Sequence, residues 1–248
     1  MIDNITILCY NCLYFIKRSL NLLMDKLERM DEFFASRTEG YDEHMLEEVE
    51  GCKEGYAEMA RLVPQNIKNL LDLGCGTGLE LDRIFEIYPD IFVTGIDLTA
   101  SMLEKLRQKH PDKSLELICG DYFTVGFKNN FYDCAVSFQT MHHFSHDKKI
   151  TLYKKIYDSL TADGIYIECD YMAETQEQED FFFAENERLR REQGIGADEF
   201  YHYDTPCTFE NQIKLLEKAG FLSVKHVFRL GATSIIVAKK HYENDQNF

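Results

Sequence analysis

The 248-residue chain is long enough for one α/β domain with a modest insertion, and 45% of its residues are hydrophobic and 28% charged. This composition argues against wholesale disorder and against a membrane-spanning chain. The net charge of −16 opposes attraction to phosphate backbones and anionic lipids, so neither nucleic acid nor stable membrane insertion is expected. Eight cysteines scattered through predicted strands and helices are typical of a reducing compartment, which predicts a cytoplasmic protein.

Residues 1–29 are interpreted as a leader or docking helix that precedes the main domain. Their apolar stretch ITILCYNCLYFI has about a dozen residues, whereas a membrane span needs about 20. Cys9 and Cys12 have CxxC spacing, but no second cysteine pair accompanies them, so we predict no zinc or redox site there. Met24 and Met30 are alternative starts.

Strand-length apolar runs then alternate with helical patterns, which predicts repeated β-α units and a mostly parallel sheet. The predicted helices are residues 41–62, 78–87, 99–109, 147–160, 176–193 and 209–218. The predicted strands are residues 69–73, 91–96, 115–119, 133–138, 165–170, 222–228 and 233–238. Only four residues separate the last two strands, so these strands must form an antiparallel hairpin. We therefore expect an α/β, doubly wound, seven-stranded sheet with helices on both faces.

The predicted domain covers residues 30–240 and is followed by a tail at 241–248. Within it, residues 171–206 depart from the β-α pattern and form a polar, aromatic-rich insertion that resembles a lid. Three threonines are predicted helix caps, Thr99, Thr175 (with Gln178 three residues later) and Thr208, and Gly220 is predicted to end the last helix.

The strongest motif is LLDLGCGTGLELDRIF, in which a strand ends at Asp72 and a glycine-rich turn opens a helix. Its glycines are Gly74, Gly76 and Gly78, and they let the backbone turn sharply and approach a ligand. A dinucleotide-binding GxGxxG motif would need glycine at position 79, where this chain has Leu79. A carboxylate beside the turn disfavours pyrophosphate and favours an ammonium group, so Asp72 argues for a ligand that carries an amino acid.

This stretch resembles motif I of the class I S-adenosylmethionine (SAM)-dependent methyltransferases, which implies a Rossmann-like fold and SAM as cofactor. Asp97 ends the second strand nineteen residues after Gly78, where a carboxylate accepts from ribose hydroxyls. In similar methyltransferases an acid at the position of Asp121 accepts from the adenine amino group. The implied cofactor-binding residues are Asp72, Gly74, Cys75, Gly76, Gly78, Asp97, Leu98, Met102, Asp121, Tyr122, Phe138 and Gln139.

The segment SFQTMHHFSHDKK also resembles the family, and it contains His142, His143 and His146. Adjacent residues on a helical turn diverge by about 100°, and no convergent carboxylate is assignable, so we predict no metal site. His143, Tyr41 and Tyr171 are the candidate catalytic bases, while Arg37 is a candidate to approach a carboxylate.

The predicted function is in-line methyl transfer from SAM to a small acceptor, apolar or aromatic, that binds beneath residues 171–206. One alternative is a tRNA-modification enzyme similar to carboxy-SAM synthase, although this chain has Thr205 and Pro206 where that family's pattern places an arginine. A second alternative is a non-catalytic sensor of SAM or S-adenosylhomocysteine (SAH). Dinucleotide oxidoreduction is the third, and Leu79 argues against it. The oligomeric state is not predicted.

Overall fold

The computed structural model describes residues 26–241. The predicted leader up to residue 25, including Cys9 and Cys12, lies outside the described residues, as does the tail from residue 242. Among the residues described, no helix has the length and apolar character needed to cross a bilayer.

The seven strands form a single sheet in the order β3-β2-β1-β4-β5-β7-β6. Their bounds are β1 Asn69–Leu73, β2 Phe92–Asp97, β3 Leu115–Cys119, β4 Tyr132–Phe138, β5 Leu160–Tyr171, β6 Ser223–Leu230 and β7 Thr233–Lys239. The first five strands are parallel, and β7 lies antiparallel to both β5 and β6. The predicted doubly wound sheet with its C-terminal hairpin is therefore confirmed, and the carboxyl ends of β1 to β5 share one edge.

Seven helices of at least six residues surround the sheet in the described part of the chain: α1 Met30–Ala35, α2 Cys52–Leu62, α3 Leu79–Ile87, α4 Ala100–Lys109, α5 His146–Ser159, α6 Gln176–Glu192 and α7 Phe209–Ala219. Shorter helical turns occupy Thr38–Gly40, Tyr41–Glu43, His44–Glu48 and Met141–His143. Buried side chains form one apolar cluster on each face of the sheet, which is why helices cover both faces.

The continuous helix predicted over residues 41–62 is wrong. The backbone leaves the helix at Val49, which is extended (φ −92°, ψ 110°), and re-enters it after Gly51, whose φ is +81°. A Cβ on Gly51 would lie 2.6 Å from the carbonyl oxygen of Leu230. Close packing against the hairpin therefore requires glycine at this break.

Three of the four predicted helix caps are confirmed. Thr175 accepts a hydrogen bond from the amide of Gln178 (3.2 Å) and Thr208 from that of Asn211 (3.4 Å), while Gly220 ends α7 at φ +116°. Thr99 precedes α4 as predicted, but its side chain makes no capping bond. Instead, Asp97 Oδ1 accepts from the Thr99 amide at 2.7 Å.

The insertion packs against the start of the described chain. The amide of Met30 donates to the Phe200 carbonyl (3.0 Å) and the amide of His202 donates to the Glu28 carbonyl (2.9 Å). Leu27 is buried with Phe182, Leu189 and Tyr203 in a third apolar cluster. The packed domain thus extends to Leu27, before its predicted start at residue 30.

Candidate functional site

The glycine-rich loop after β1 lies at the carboxyl edge of the sheet. Gly74, Gly76 and Gly78 have φ values of +72°, +45° and +78°, a region that side chains with a Cβ rarely adopt. A Cβ on Gly74 would lie 2.6 Å from Thr140 Oγ1, and one on Gly78 would overlap Leu106. The loop is therefore shaped by glycine at the positions that the sequence singled out.

Asp72 lies beneath this loop and is fully buried, and neither of its carboxylate oxygens has a hydrogen-bond partner. Burial raises the pKa of Asp72 to about 7; the neighbouring Glu80 carboxyl opposes this rise, and the nearby Asp97 carboxylate adds to it. Burial and the charge of Asp72 hold the pKa of Glu80 well above its usual range, and Glu80 Oε1 also lacks a partner. Unsatisfied buried acceptors are costly, so this pair is chemically suited to a cationic ligand group.

Asp97 stands at the end of β2, across the loop. Its Oδ2 accepts from the Gly76 amide at 2.9 Å, while Oδ1 accepts from Thr99. Burial raises the pKa of Asp97 even though these amides favour its charged form. The carboxylate is thus fixed at the strand end by the backbone.

A cavity of about 60 Å³ opens beside Asp97. Tyr122 forms one buried wall, with its hydroxyl 3.0 Å from Thr140 Oγ1, and Asp121 Oδ1 accepts from the Phe123 amide at 2.8 Å. Of the residues predicted from sequence, the cavity is lined by Gly74, Asp97, Leu98, Asp121, Tyr122 and His143. The remaining lining includes Met30, Phe34 and Phe200, which cover it from α1 and the insertion.

Two other predicted cofactor residues turn their side chains into the core. A Cβ on Gly95 would lie 2.9 Å from Cys75 Sγ, which places that thiol against β2. The Phe138 ring stacks on Tyr56 of α2, with centroids 3.8 Å apart and planes at 18°. Cys75 and Phe138 therefore offer mainly their backbone to the edge of the sheet.

The remaining two predicted cofactor residues also make definite contacts. Gln139 follows β4 with φ +50°, and its side-chain amide donates to Thr233 Oγ1 (3.3 Å) and Cys52 Sγ (3.5 Å). Met102 is buried in the first turn of α4. Gln139 is thus held in an uncommon backbone conformation at the end of β4 by contacts to α2 and β7.

The segment from Thr38 to Glu48 covers the glycine loop. Its Tyr41 ring lies 3.9 Å from the position of a Cβ on Gly76. Asp42 accepts from Thr77 Oγ1 at 2.6 Å and pairs with Lys105 and Lys109, each at 3.5 Å. Burial, followed by the charge of Glu80, raises the pKa of Tyr41, so the Tyr41 hydroxyl is poorly suited to lose a proton.

Arg37 and Tyr171, two other residues singled out from the sequence, lie apart from the glycine loop. The Arg37 guanidinium pairs with Glu28 at 3.1 Å and lies over the Phe33 ring. The Tyr171 ring is 6.0 Å from that of His142 and 6.4 Å from that of Phe182, between centroids.

The histidines after β4 meet two carboxylates that the sequence reasoning did not assign. His142 Nδ1 lies 2.5 Å from Asp170 Oδ1, at the end of β5. Asp204, in the insertion, has its Oδ1 3.6 Å from His142 Nε2 and 3.7 Å from His143 Nδ1. We call His142, His143, His202 and Asp204 the histidine cluster. Asp170 could have been found as a strand-end acid like Asp97, whereas no local pattern marks Asp204.

The protonation of the two adjacent histidines differs. Burial would lower the pKa of His142, but Asp170 and Asp204 outweigh it and raise that pKa. Burial, reinforced by His142 and His202, holds the pKa of His143 well below its usual range. His143 is therefore neutral at physiological pH and able to accept a proton.

A second and larger cavity of about 360 Å³ lies under the insertion. Its apolar walls are Phe33, Phe182, Leu189 and Tyr203, together with Leu27. Its polar lining consists of Lys26, Glu28, Arg37, His202 and Asp204. Its position and size suit a small organic ligand.

Known proteins share both the sequence pattern and the fold. A family model described as a methyltransferase domain matches residues 70–164. Carboxy-S-adenosyl-L-methionine synthase of Campylobacter jejuni subsp. doylei is 26% identical over 194 residues, or 73% of this chain and 80% of that protein. A Nostoc punctiforme protein provisionally named an O-methyltransferase superposes with a TM-score of 0.64 at 20% identity, over 85% of this chain and 61% of its own. Human N-acetylserotonin methyltransferase, solved with SAM, gives 0.59 at 15% identity, over 85% and 55%. This chain thus spans less than two thirds of either solved chain.

The parallel sheet with its reversed last strand, the glycine loop after β1 and the strand-end acids define a Rossmann-like domain with a ligand site at its carboxyl edge. Residues 70–164 match a methyltransferase domain, and the fold is that of class I SAM-dependent methyltransferases, as the resemblance predicted. These findings support a SAM-dependent enzyme.

Proposed function

We propose that this enzyme transfers the methyl group of SAM to a small acceptor that binds in the 360 Å³ cavity beneath the insertion. The observation that carries the proposal is the unsatisfied Asp72 carboxylate beside the glycine loop, on the same sheet edge as Asp97 and Asp121. When bound, SAM supplies a methyl group activated by a positively charged sulfonium.

In this proposal each part of SAM contacts a different group of residues at the carboxyl edge of the sheet. Asp72 accepts from the α-ammonium group, and the Gly74–Gly78 loop lets the backbone approach the methionine part. Asp97 accepts from the ribose hydroxyls, while Asp121 and Tyr122 flank the adenine. Ligand pockets usually measure about 300–1,000 Å³, so Met30, Phe34 and Phe200 must move to enlarge the space of about 60 Å³ beside Asp97.

The acceptor is proposed to be a small apolar or aromatic molecule with one ionisable group. Phe33, Phe182, Leu189 and Tyr203 provide the apolar walls. His143 lines the smaller cavity and its low pKa leaves it neutral, so it is our candidate general base for an acceptor O–H or N–H group. The partly buried Tyr41 is a weaker candidate because its raised pKa opposes ionisation.

Carboxy-SAM synthesis is the second candidate, favoured by the similarity to the Campylobacter protein over most of its length. A carboxylated sulfonium would need a cationic partner, and none of the residues that line the smaller cavity is lysine or arginine. At the position where the carboxy-SAM pattern has arginine, Thr205 is buried and donates through both its amide (2.6 Å) and hydroxyl (2.8 Å) to the His142 carbonyl. The lack of a cationic side chain in the smaller cavity and the contacts of Thr205 favour methyl transfer over carboxy-SAM synthesis.

Calorimetric titration with SAH tests the cofactor site. Asp97→Asn is expected to weaken SAH about 10- to 100-fold, because charge-assisted hydrogen bonds contribute about 1.5–3 kcal/mol. The matched control is Asp133→Asn. Asp133 lies at the amino end of β4, away from the carboxyl edge of the sheet, and accepts from the Lys68 and Asn69 amides. Unchanged SAH binding by Asp97→Asn would refute the site assignment.

Mass spectrometry after incubation with SAM and a metabolite extract tests the reaction. Release of SAH together with a methylated product supports methyl transfer. Accumulation of carboxylated SAM would establish the second candidate. SAH binding without turnover across many extracts would instead indicate a sensor.

A further inference from the structure

The histidine cluster is arranged like the ligand set of a metal ion. His142 Nε2, His143 Nδ1 and His202 Nε2 lie 3.6, 3.7 and 3.7 Å from the same oxygen, Oδ1 of Asp204. These separations exceed a normal hydrogen bond. Two ligand atoms that are each about 2.1 Å from a tetrahedral ion lie roughly 3.4 Å apart, so the spacing matches ligands that share one cation.

The ligand atoms of His142, His143 and Asp204 also lie within 4.8 Å of one another, which makes a set of two imidazoles and one carboxylate. Such sets bind divalent transition metals. The side chains are 8%, 5% and 12% exposed, and that of His202 is 25% exposed. The site is thus mostly withdrawn from water but open on the side of His202.

Two contacts hold these side chains in position. The bond of 2.5 Å between His142 Nδ1 and Asp170 Oδ1 leaves Nε2 facing Asp204, and a carboxylate behind a ligating histidine is a common feature of metal sites. Both donors of Thr205 bind the His142 carbonyl, which ties the segment that carries Asp204 to the helical turn Met141–His143 after β4. The insertion residue therefore has a fixed distance to the histidines.

The cluster separates the two cavities. His143 lines the smaller cavity beside Asp97, while His202 and Asp204 line the larger one. An ion could enter through the larger cavity and keep a coordination position open toward it.

We propose that His142, His143 and Asp204 bind a divalent transition-metal ion of the Zn²⁺ class, with His202 beside its open coordination position. If the proposed methyl transfer is correct, an acceptor hydroxyl bound to this ion would lose its proton more easily, and His143 would then act as a ligand in place of a general base. The binding of the ion itself does not depend on that function.

A neighbouring group of three potential ligands does not support the same inference. His146, Glu179 and Cys207 also converge, but Cys207 Sγ accepts from the Lys149 ammonium group at 3.2 Å. His146 Nε2 and Glu179 Oε1 form a direct pair at 3.0 Å. A buried lysine already supplies the positive charge there, so this group serves as a matched control.

The first experiment uses the full-length chain after metal removal, with Cys9→Ser and Cys12→Ser so that the CxxC pair binds no ion. Titration with Co²⁺, a spectroscopic substitute for Zn²⁺, is expected to give d–d absorption that saturates at one equivalent, without a thiolate-to-cobalt charge-transfer band. The absence of stoichiometric binding, or a strong thiolate band, would overturn the proposal.

Variants then locate the site. We expect Asp204→Ala and His143→Ala to weaken Co²⁺ at least about 10-fold and Asp170→Asn about 10- to 100-fold, the range typical for partners behind metal ligands. His146→Ala should bind Co²⁺ like the parent chain. Parental affinity in both Asp204→Ala and His143→Ala, or loss only in His146→Ala, would contradict the assignment.

Folding and function are checked separately. SAH titration of each variant shows that the sheet edge is intact. If Asp204→Ala does not fold, Asp204→Asn decides the outcome, because it keeps the size of the side chain and removes its charge. Cobalt is measured without SAM or acceptor, so failure of methyl transfer and failure of metal binding are distinguishable.

Discussion

The two sides of the carboxyl edge are built in different ways. On the side of β1 and β2, one short loop and two strand-end acids form the candidate cofactor site, and Gly74, Gly76 and Gly78 are within five residues of each other. On the side of β4 and β5, the histidine cluster joins residues 142, 143, 202 and 204, which are about sixty positions apart along the chain. The first site is encoded locally, whereas the second exists only once the insertion has packed.

This difference has an energetic counterpart. The cofactor side holds a loop that requires glycine at its positive φ angles and a buried Asp72 carboxylate whose oxygens lack a hydrogen-bond partner. The insertion side holds buried polar groups that have partners. One of them is Glu179, which accepts hydrogen bonds from the backbone amide of Thr208 and the side-chain amide of Asn211 at the start of α7. Burial would raise the pKa of Glu179, but His146 and these donors lower it to about 2. We therefore expect ligands to stabilise the first side most.

The largest effect is expected for Gly74→Ala, which tests whether the loop requires glycine. The new Cβ would meet Thr140 Oγ1 at 2.6 Å in a backbone with φ +72°. We expect a loss of about 2–4 kcal/mol in the free energy of unfolding, from backbone strain and overpacking together. Urea unfolding measures the stability loss, and calorimetry should show that SAH binding is lost.

The control for this variant is Gly126→Ala, because a Cβ at Gly126 would meet nothing within 4 Å. Its stability should remain within about 0.5 kcal/mol of the parent. If Gly74→Ala matched Gly126→Ala in both stability and SAH binding, the loop would not be the constrained element described above.

An effect of intermediate size is expected in the pH dependence of folding stability and of SAH affinity, because both depend on the protonation of Asp72. Its pKa rises from 3.8 to about 7 on folding, so the folded state of the ligand-free protein binds the proton more tightly than the unfolded state. The stability contribution of this carboxyl is therefore present below pH 3.8 and is lost as the pH rises through about 7. An ammonium ligand favours the ionised form, so SAH affinity should increase across the same upper range.

Calorimetry in two buffers with different ionisation enthalpies measures this linkage. At pH 7 the parent is expected to release about half a proton from Asp72 when SAH binds. Asp72→Asn should release less and should lose less stability between pH 5 and pH 8. Identical proton release by the two proteins would show that Asp72 does not meet the ammonium group.

The difference between the locally encoded cofactor side and the histidine cluster, which joins distant residues, also explains which features could be predicted from the sequence. The succession of strands and helices, the hairpin and most helix bounds follow from periodicity and short connections, and motif I, Asp97 and Asp121 follow from local patterns at strand ends. The break at Gly51 was missed because it depends on packing against Leu230, far away in the chain. Asp204 was missed for the same reason, since its position depends on the Thr205 contacts to His142. The directions of Cys75 and Phe138 also depend on neighbours, Gly95 and Tyr56, that no local pattern reveals.

The smallest effect is expected for Thr175→Ala, which tests whether the insertion is stabilised independently of the cofactor side. The Thr175 hydroxyl accepts from the Gln178 amide at 3.2 Å at the start of α6, and its loss should cost about 1 kcal/mol. Hydrogen exchange should become faster in α6 but not in β1 to β4, with SAH affinity unchanged. The control, Thr151→Ala, changes an exposed threonine within α5 and should have no such local effect. Equal loss of protection in β1 and α6 would mean that the two sides unfold as one cooperative unit, because a local cap can weaken a distant strand only if both open together.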